Sequence, residues 1–271
     1  MRLALHCILR IIAMLSVLLP LASMPAYAEE VGSLMRIPSA RAEANVPVFV
    51  HATDGAKATL LLLPGGGGGI GKVSDGGWPD SSNFLVRSAP LFAGSGFNVA
   101  VMARASDMND LDYGVRVGKE HIDDIRRVLQ MTKQKFPGPV WLVGTSRGTV
   151  SAAAAGIALR DEKLIDGIVL TSSVTNYKKT GAVPSLDLDR LNVPVLVMHH
   201  EQDACSVCRP HEVPAIVRGL KNAPFKKLVL VNGGANPSGD PCETQHYHGY
   251  IGMEKEAVGI IAAWIKSPTN W

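Results

Sequence analysis

The stretch from Pro139 to Leu159, PVWLVGTSRGTVSAAAAGIAL, constrains this chain more than any other. An apolar run, Val140 to Val143, enters Gly144-Thr145-Ser146-Arg147-Gly148 and leaves into Ala- and Val-rich sequence that fits only a buried helix. Strand, sharp turn and helix therefore follow in direct succession. Ser146 stands at the tip of the turn with its hydroxyl off the end of the sheet, and a glycine on each side leaves room for helix and strand to approach closely. The GxSxG pattern alone carries little weight, because 27 of the 271 residues are glycine. Its weight comes from what stands around it.

The strands on either side are apolar throughout. Val46 to Val50 is the first, Asp54-Gly55 reads as a tight turn, and Ala58 to Leu63 follows, so the pair is expected as a hairpin. After Pro64 and the glycine run Gly65 to Gly69, a helix is expected over Asn83 to Phe92 despite Pro90, and a buried strand over Phe97 to Met102. Ile122, Ile125 and Leu129 share one helical face, with Asp123, Asp124, Arg126 and Arg127 expected off it. Later strands are expected at Gly167 to Leu170, Val193 to Met198 and Lys227 to Val231, with helical patterns at Pro210 to Leu220 and Met253 to Lys266. Apolar strands separated by helices predict an α/β fold: one doubly wound, mostly parallel sheet flanked by helices. The link from Leu170 to Val193 is too short for a large cap domain, so the site is expected to be open.

Met1 to Ala28 reads as a secretory signal peptide, with Arg2 and Arg10, the apolar run Ile11 to Leu21, and Ala26-Tyr27-Ala28 as a small-x-small cleavage site. The run is shorter than a membrane span and prolines interrupt it. A single domain is then expected over residues 29–271, exported to the periplasm or medium, with no membrane attachment after cleavage. Without the leader's two arginines, Lys+Arg falls from 27 to 25 against 24 Asp+Glu, and with no basic run in view nucleic acid is not expected as a partner.

A serine nucleophile needs a base, and the base needs an orienting carboxylate. In the chain order Ser, Asp, His, the acid belongs just past a late strand, where Val193 to Met198 is followed by His199-His200-Glu201-Gln202-Asp203. Asp203 is the favoured acid and Glu201 the fallback. The base belongs between the last strand and the last helix, in His246-Tyr247-His248-Gly249-Tyr250. His248 is favoured over His246 because the glycine after it lets the chain turn the ring.

With the glycine-rich turn, the GTSRG elbow, Asp203 after VPVLVMHH and His248 in HGY, the chain resembles the α/β-hydrolase family of esterases, lipases and related serine hydrolases, from about Val46 to Trp264. The resemblance implies attack by Ser146 on an ester or similar acyl group of a small-molecule substrate, without a cofactor. It also implies oxyanion donors on the residue after the nucleophile, Arg147, and after the third strand, Gly66 or Gly67. Many family members carry His-Gly-Gly there; this chain has Pro64-Gly65-Gly66. A non-catalytic binding protein with the same fold, or a peptidase or amidase with the same triad, are the alternatives.

The glycine run also imitates the dinucleotide pattern and the P-loop, but Val73-Ser74-Asp75-Gly76-Gly77-Trp78-Pro79 follows where both need a helix to begin. Cys205-x-x-Cys208 invites a redox reading, and with Cys242 and His211 or His246 a zinc reading. We expect instead a structural disulfide from Cys205 or Cys208 to Cys242, tying the acid loop to the base loop, and no metal.

Overall fold

The computed structural model describes residues 31–74 and 76–271. The expected leader lies outside the described residues. Strands β1 (Ser33–Pro38), β2 (Asn45–His51) and β3 (Thr59–Leu63) come first, followed by the short pair β4 (Lys72–Val73) and β5 (Pro79–Asp80). Then come α1 (Phe84–Arg87), α2 (Ala89–Gly94), β6 (Asn98–Met102), α3 (Tyr113–Val117), α4 (Lys119–Lys135), β7 (Val140–Thr145) and α5 (Arg147–Ala158). The chain closes with β8 (Gly167–Thr171), β9 (Val195–His200), α6 (Pro214–Gly219), β10 (Lys226–Val231) and α7 (Glu254–Lys266). Eight strands form one sheet in the order β1-β2-β6-β3-β7-β8-β9-β10. From β6 to β10 every pairing is parallel, and β2 runs antiparallel to both β1 and β6.

Two apolar layers cover the sheet. Leu61 and Leu63 face α4, α5 and α6, while Leu60 and Leu62 face α1, α2 and α7. The alternation follows from the two-residue period of a strand, and each leucine so buried contributes about 2 kcal/mol. This is why the central strands are apolar at every position. The outer edge is different: β10 exposes Lys226, Lys227 and Leu230, as an edge strand that must resist further pairing does.

Three expectations are corrected. The hairpin of Val46–Val50 with Ala58–Leu63 does not form, because β6 lies between β2 and β3 and pairs with both. A strand apolar on both faces is most stable with a neighbour on each side, and Thr53 fastens the turn to the start of β6 through Asn98 Oδ1 and Phe97 O. The single helix expected over Asn83 to Phe92 is two short ones, α1 and α2, that meet at Ser88, and Pro90 sits in the first turn of α2, where its missing N–H costs nothing. Asp124 is not on the solvent face of α4: it is 3% exposed and accepts hydrogen bonds from Ser39 Oγ and the Ala40 N–H. The segment 172–194 carries only single 3-10 turns at Val183–Ser185 and Leu188–Arg190, so among the described residues no cap covers the sheet's C-terminal edge.

Candidate active site

Ser146 lies between β7 and α5 with φ 51° and ψ −125°, a strained region for a residue with a Cβ. The surroundings leave it no other choice. A Cβ on Gly148 would stand 2.0 Å from the Leu63 carbonyl oxygen, and one on Gly144 2.4 Å from that of Gly148, so only glycine permits the crossing of α5 over the strands. The Ser146 N–H donates to Thr171 O at 3.0 Å, and its carbonyl accepts from the Thr149 N–H and hydroxyl.

Asp203 follows β9 and is 4% exposed. Its Oδ2 accepts from His248 Nδ1 at 2.8 Å and lies 3.1 Å from His199 Nε2, and its Oδ1 accepts from the Cys205 N–H at 2.9 Å. Burial raises its pKa, but the hydrogen bonds from His199 and His248 outweigh burial and bring it down to about 2. It is a carboxylate at neutral pH. Holding His248 by Nδ1 fixes the tautomer that leaves Nε2 unprotonated in the neutral ring. That Nε2 is buried and has no hydrogen-bond partner among the described residues.

His246 makes no such contact; its ring packs edge-on against Tyr247. The glycine after His248 has a reason other than turning the ring. A Cβ on Gly249 would meet Thr244 O at 2.1 Å, and the left-handed residue of this turn is Tyr250, with φ 57°. Glu201 is exposed and bonded to Asn232, away from the imidazole.

Ser146, Arg147, His248, Gly65, Gly66 and Gly67 all line one cavity of about 350 Å³. Its remaining walls are largely polar, with Ser81, Ser82, Asn83, Glu243 and Thr244 among them. No acceptor among the described residues engages the N–H of Gly66, Gly67 or Arg147 outside regular structure. The Arg147 guanidinium stacks over the Tyr113 ring at 4.9 Å and stands 3.3 Å from Asp110. A larger cleft, about 680 Å³, opens beside His51 and Trp78, away from the serine.

Several residues of the site carry no signal in the sequence. Arg116 is 1% exposed, and its guanidinium donates to Leu111 O, Ser151 Oγ, Pro64 O and Gly66 O at 2.9–3.2 Å. Among the described residues no carboxylate bonds to it; carbonyls of the glycine turn take its place, so a buried cation fixes that turn from behind. Burial lowers its pKa to about 9, which keeps it charged at neutral pH. Along an amphipathic stretch it looks like any surface arginine. Ser172 Oγ donates to His248 O at 2.8 Å, Tyr250 OH to Met198 O at 3.0 Å, and Arg87 Nη2 to Gly249 O at 2.6 Å, together pinning the base loop.

Cys205 and Cys242 form a disulfide across a separation of 37 residues, one of the two expected pairings. Cys208 is a free, buried thiol. Burial pushes its pKa well above the usual value, the Asp203 charge adds to this, and a hydrogen bond from Ser146 acts the other way. The serine hydroxyl makes no hydrogen bond to His248 Nε2 in this structure. Such bonds between nucleophile and base often close only when substrate is present.

No family model matches the sequence, and no curated protein matches it in sequence. The fold is shared with solved structures. An α/β serine hydrolase without lid from Xanthomonas campestris is 13% identical, with 88% of this chain and 94% of that one covered and a TM-score of 0.54. An esterase from Pyrococcus furiosus is 14% identical, with 87% and 91% covered and a TM-score of 0.60. A dienelactone hydrolase from Anabaena variabilis is 12% identical, with 87% and 98% covered and a TM-score of 0.59. The chain has the same fold as these proteins, in a form without a lid.

Proposed function

Starting from the lid-less α/β-hydrolase fold, we infer that this chain is an exported serine hydrolase of esters or similar acyl compounds. The observation that carries the reading is the 2.8 Å bond from His248 Nδ1 to Asp203, which leaves a bare Nε2 on the cavity of the strained Ser146. Ser146 Oγ attacks the acyl carbon while His248 Nε2 takes its proton, and Asp203 stabilises the resulting imidazolium. The N–H of Arg147 and that of Gly66 or Gly67 receive the oxyanion, each such donor being worth about 3 kcal/mol. His248 then protonates the leaving alcohol, and water, activated by the same nitrogen, releases the acid from the acyl-enzyme. Metal is not part of this sequence of steps.

A cavity of about 350 Å³ with hydroxyl, amide and carboxylate walls favours a short, polar acyl group over a long hydrocarbon chain. The Arg147 side chain, already beside Asp110 and Tyr113, is read as a wall of the cavity more than as a carboxylate receptor. Export is supported by the leader-like Met1 to Ala28 and by the disulfide. Residues 29–271 are read as the mature domain, and no described helix is long and apolar enough to cross a membrane. A panel of p-nitrophenyl esters graded by acyl length tests the reading. Turnover should be highest for acetyl and butyryl esters and absent in Ser146→Ala; a preference for palmitoyl esters, or equal turnover in the variant, would contradict it.

A further inference from the structure

Two cysteine sulfurs and the imidazole of the site converge on one point, and a third sulfur is bonded to one of them. Cys205 Sγ, Cys208 Sγ and a ring nitrogen of His248 lie within 4.8 Å of one another, and Cys242 Sγ is bonded to Cys205 Sγ. All three of the former residues are buried. Asp203 occupies Nδ1 of the His248 ring, which is 4% exposed, and Nε2 is the nitrogen without a partner. The sequence suggested His211 or His246 as a fourth ligand; the structure brings His248 instead.

The dimensions suit a tetrahedral ion. Zinc bonds thiolate sulfur at roughly 2.3 Å and imidazole nitrogen at roughly 2.0–2.1 Å, which sets neighbouring ligand atoms about 3.3–3.8 Å apart. The three ligand atoms that lie within 4.8 Å of one another have to close by about 1 Å to reach that spacing. In sequence the ligands read Cys205-x-x-Cys208 and then Cys242 ahead of His248, a pair-plus-pair arrangement typical of zinc sites. Asp203 on the far nitrogen supplies the carboxylate–histidine support that metal-bound imidazoles usually have. Three sulfurs and one nitrogen select a thiophilic ion over magnesium or calcium.

While Cys205 and Cys242 are joined, the set is incomplete, since a disulfide sulfur is not a thiolate. We propose that once this disulfide is reduced by a dithiol or phosphine, the chain binds one thiophilic divalent cation, zinc foremost, through Cys205, Cys208, Cys242 and His248 Nε2. The reductant supplies two electrons, and two protons from solvent complete the two thiols. Metal entry then forms three metal–sulfur bonds and one metal–nitrogen bond and sends three thiol protons to solvent. Bound metal holds the lone pair that would accept the Ser146 proton, so the metal-loaded form is inactive. That last clause rests on the hydrolase reading; metal binding does not.

The test is cobalt titration of the phosphine-reduced, leader-free chain under nitrogen. One equivalent of Co²⁺ should give thiolate-to-metal charge-transfer bands and the intense visible bands of a tetrahedral site, bleached by Zn²⁺ and absent in the oxidised protein. Cys208→Ser should weaken Co²⁺ binding at least tenfold. Cys242→Ser, which frees Cys205 without a chemical reductant, should retain a weaker site and separates metal binding from effects of the reductant. Absence of the tetrahedral spectrum in Cys242→Ser and in reduced protein, with folding verified by circular dichroism, overturns the proposal, as does unchanged affinity in Cys208→Ser. Zn²⁺ should abolish ester turnover of the reduced protein alone, reversibly with a chelator. If no ester is turned over at all, the hydrolase reading fails and the cobalt spectrum still decides this one.

Discussion

The turn that carries Ser146 and the loop that carries His248 serve one cavity but are held by opposite means. The elbow is local: β7, Ser146 and α5 are consecutive in sequence, and their geometry follows from atoms that cannot overlap, such as the Leu63 carbonyl 2.0 Å from where a Gly148 Cβ would be. The base loop is long and largely exposed between Asn232 and Gln245, and it is fixed by partners elsewhere in the chain. Arg87, Ser172 and the Cys205–Cys242 bridge reach it across sequence separations of 162, 76 and 37. Steric exclusion sets Ser146; cross-links set His248. Substitutions at the elbow should therefore act through the fold, and those around the base loop through stability and register.

The sharpest way to break this contrast is at the elbow. Gly148→Ala should cost more than about 3 kcal/mol or prevent folding, because neither the strand carbonyl nor the helix has room to move. Gly259→Ala, in α7 with open space around it, should instead stabilise by about 0.5–1 kcal/mol. Urea unfolding of the two variants checks the pair, and equal effects would contradict the steric account. On the base side, Cys242→Ser should lower stability by about 4 kcal/mol, the loop-closure value for a bridge spanning 37 residues, while the elbow stays intact. Retention of the wild-type urea midpoint would show that the hydrogen bonds of Arg87, Ser172 and Tyr250 suffice.

Arg116 joins the two halves through the glycine turn. Arg116→Met should reduce kcat of ester hydrolysis by roughly tenfold to a hundredfold with KM little changed, since the turn would lose its register for a developing oxyanion and not its contact with bound substrate. Arg116→Lys should recover part of the loss. A rise in KM at unchanged kcat would place its role elsewhere. A smaller effect concerns His121, buried beneath the elbow and bonded to Ser151 on α5. Burial, with the Arg116 charge second, lowers its pKa from 6.5 to about 3. The unfolded chain binds the proton first, so stability is full above pH 6.5 and is lost as pH falls toward 3, by up to about 1.4 kcal/mol per pH unit. His121→Gln should flatten that limb in urea titrations between pH 6 and 4; an unchanged slope would mean that other groups carry it.

How much could be read from sequence follows the same division. The parallel sheet, the elbow and the absence of a cap were legible because apolar runs, glycine positions and link lengths are local properties. The positions just past β9 and before α7 were legible from chain order, and they bring Asp203 and His248 into contact. The expected hairpin was not correct, since a turn signal at Asp54-Gly55 does not say whether a third strand enters between its arms. Arg116 and Asp124 gave no sign of burial, because a helical pattern cannot tell a solvated charge from one with backbone partners in the fold. The approach of Cys208 to His248 was not read, because the cysteines were paired with one another or with His211 or His246 and His248 was taken only as the partner of Asp203.

The proposed chemistry depends on an activated serine at position 146. The most direct test is labelling of the purified, leader-free chain with a fluorophosphonate, followed by peptide mapping, with Ser146→Ala as control. The account predicts a single adduct on the peptide containing Ser146, lost in the variant and strongly slowed in His248→Ala. No adduct on folded protein, or an adduct on another residue that persists in Ser146→Ala, would contradict it.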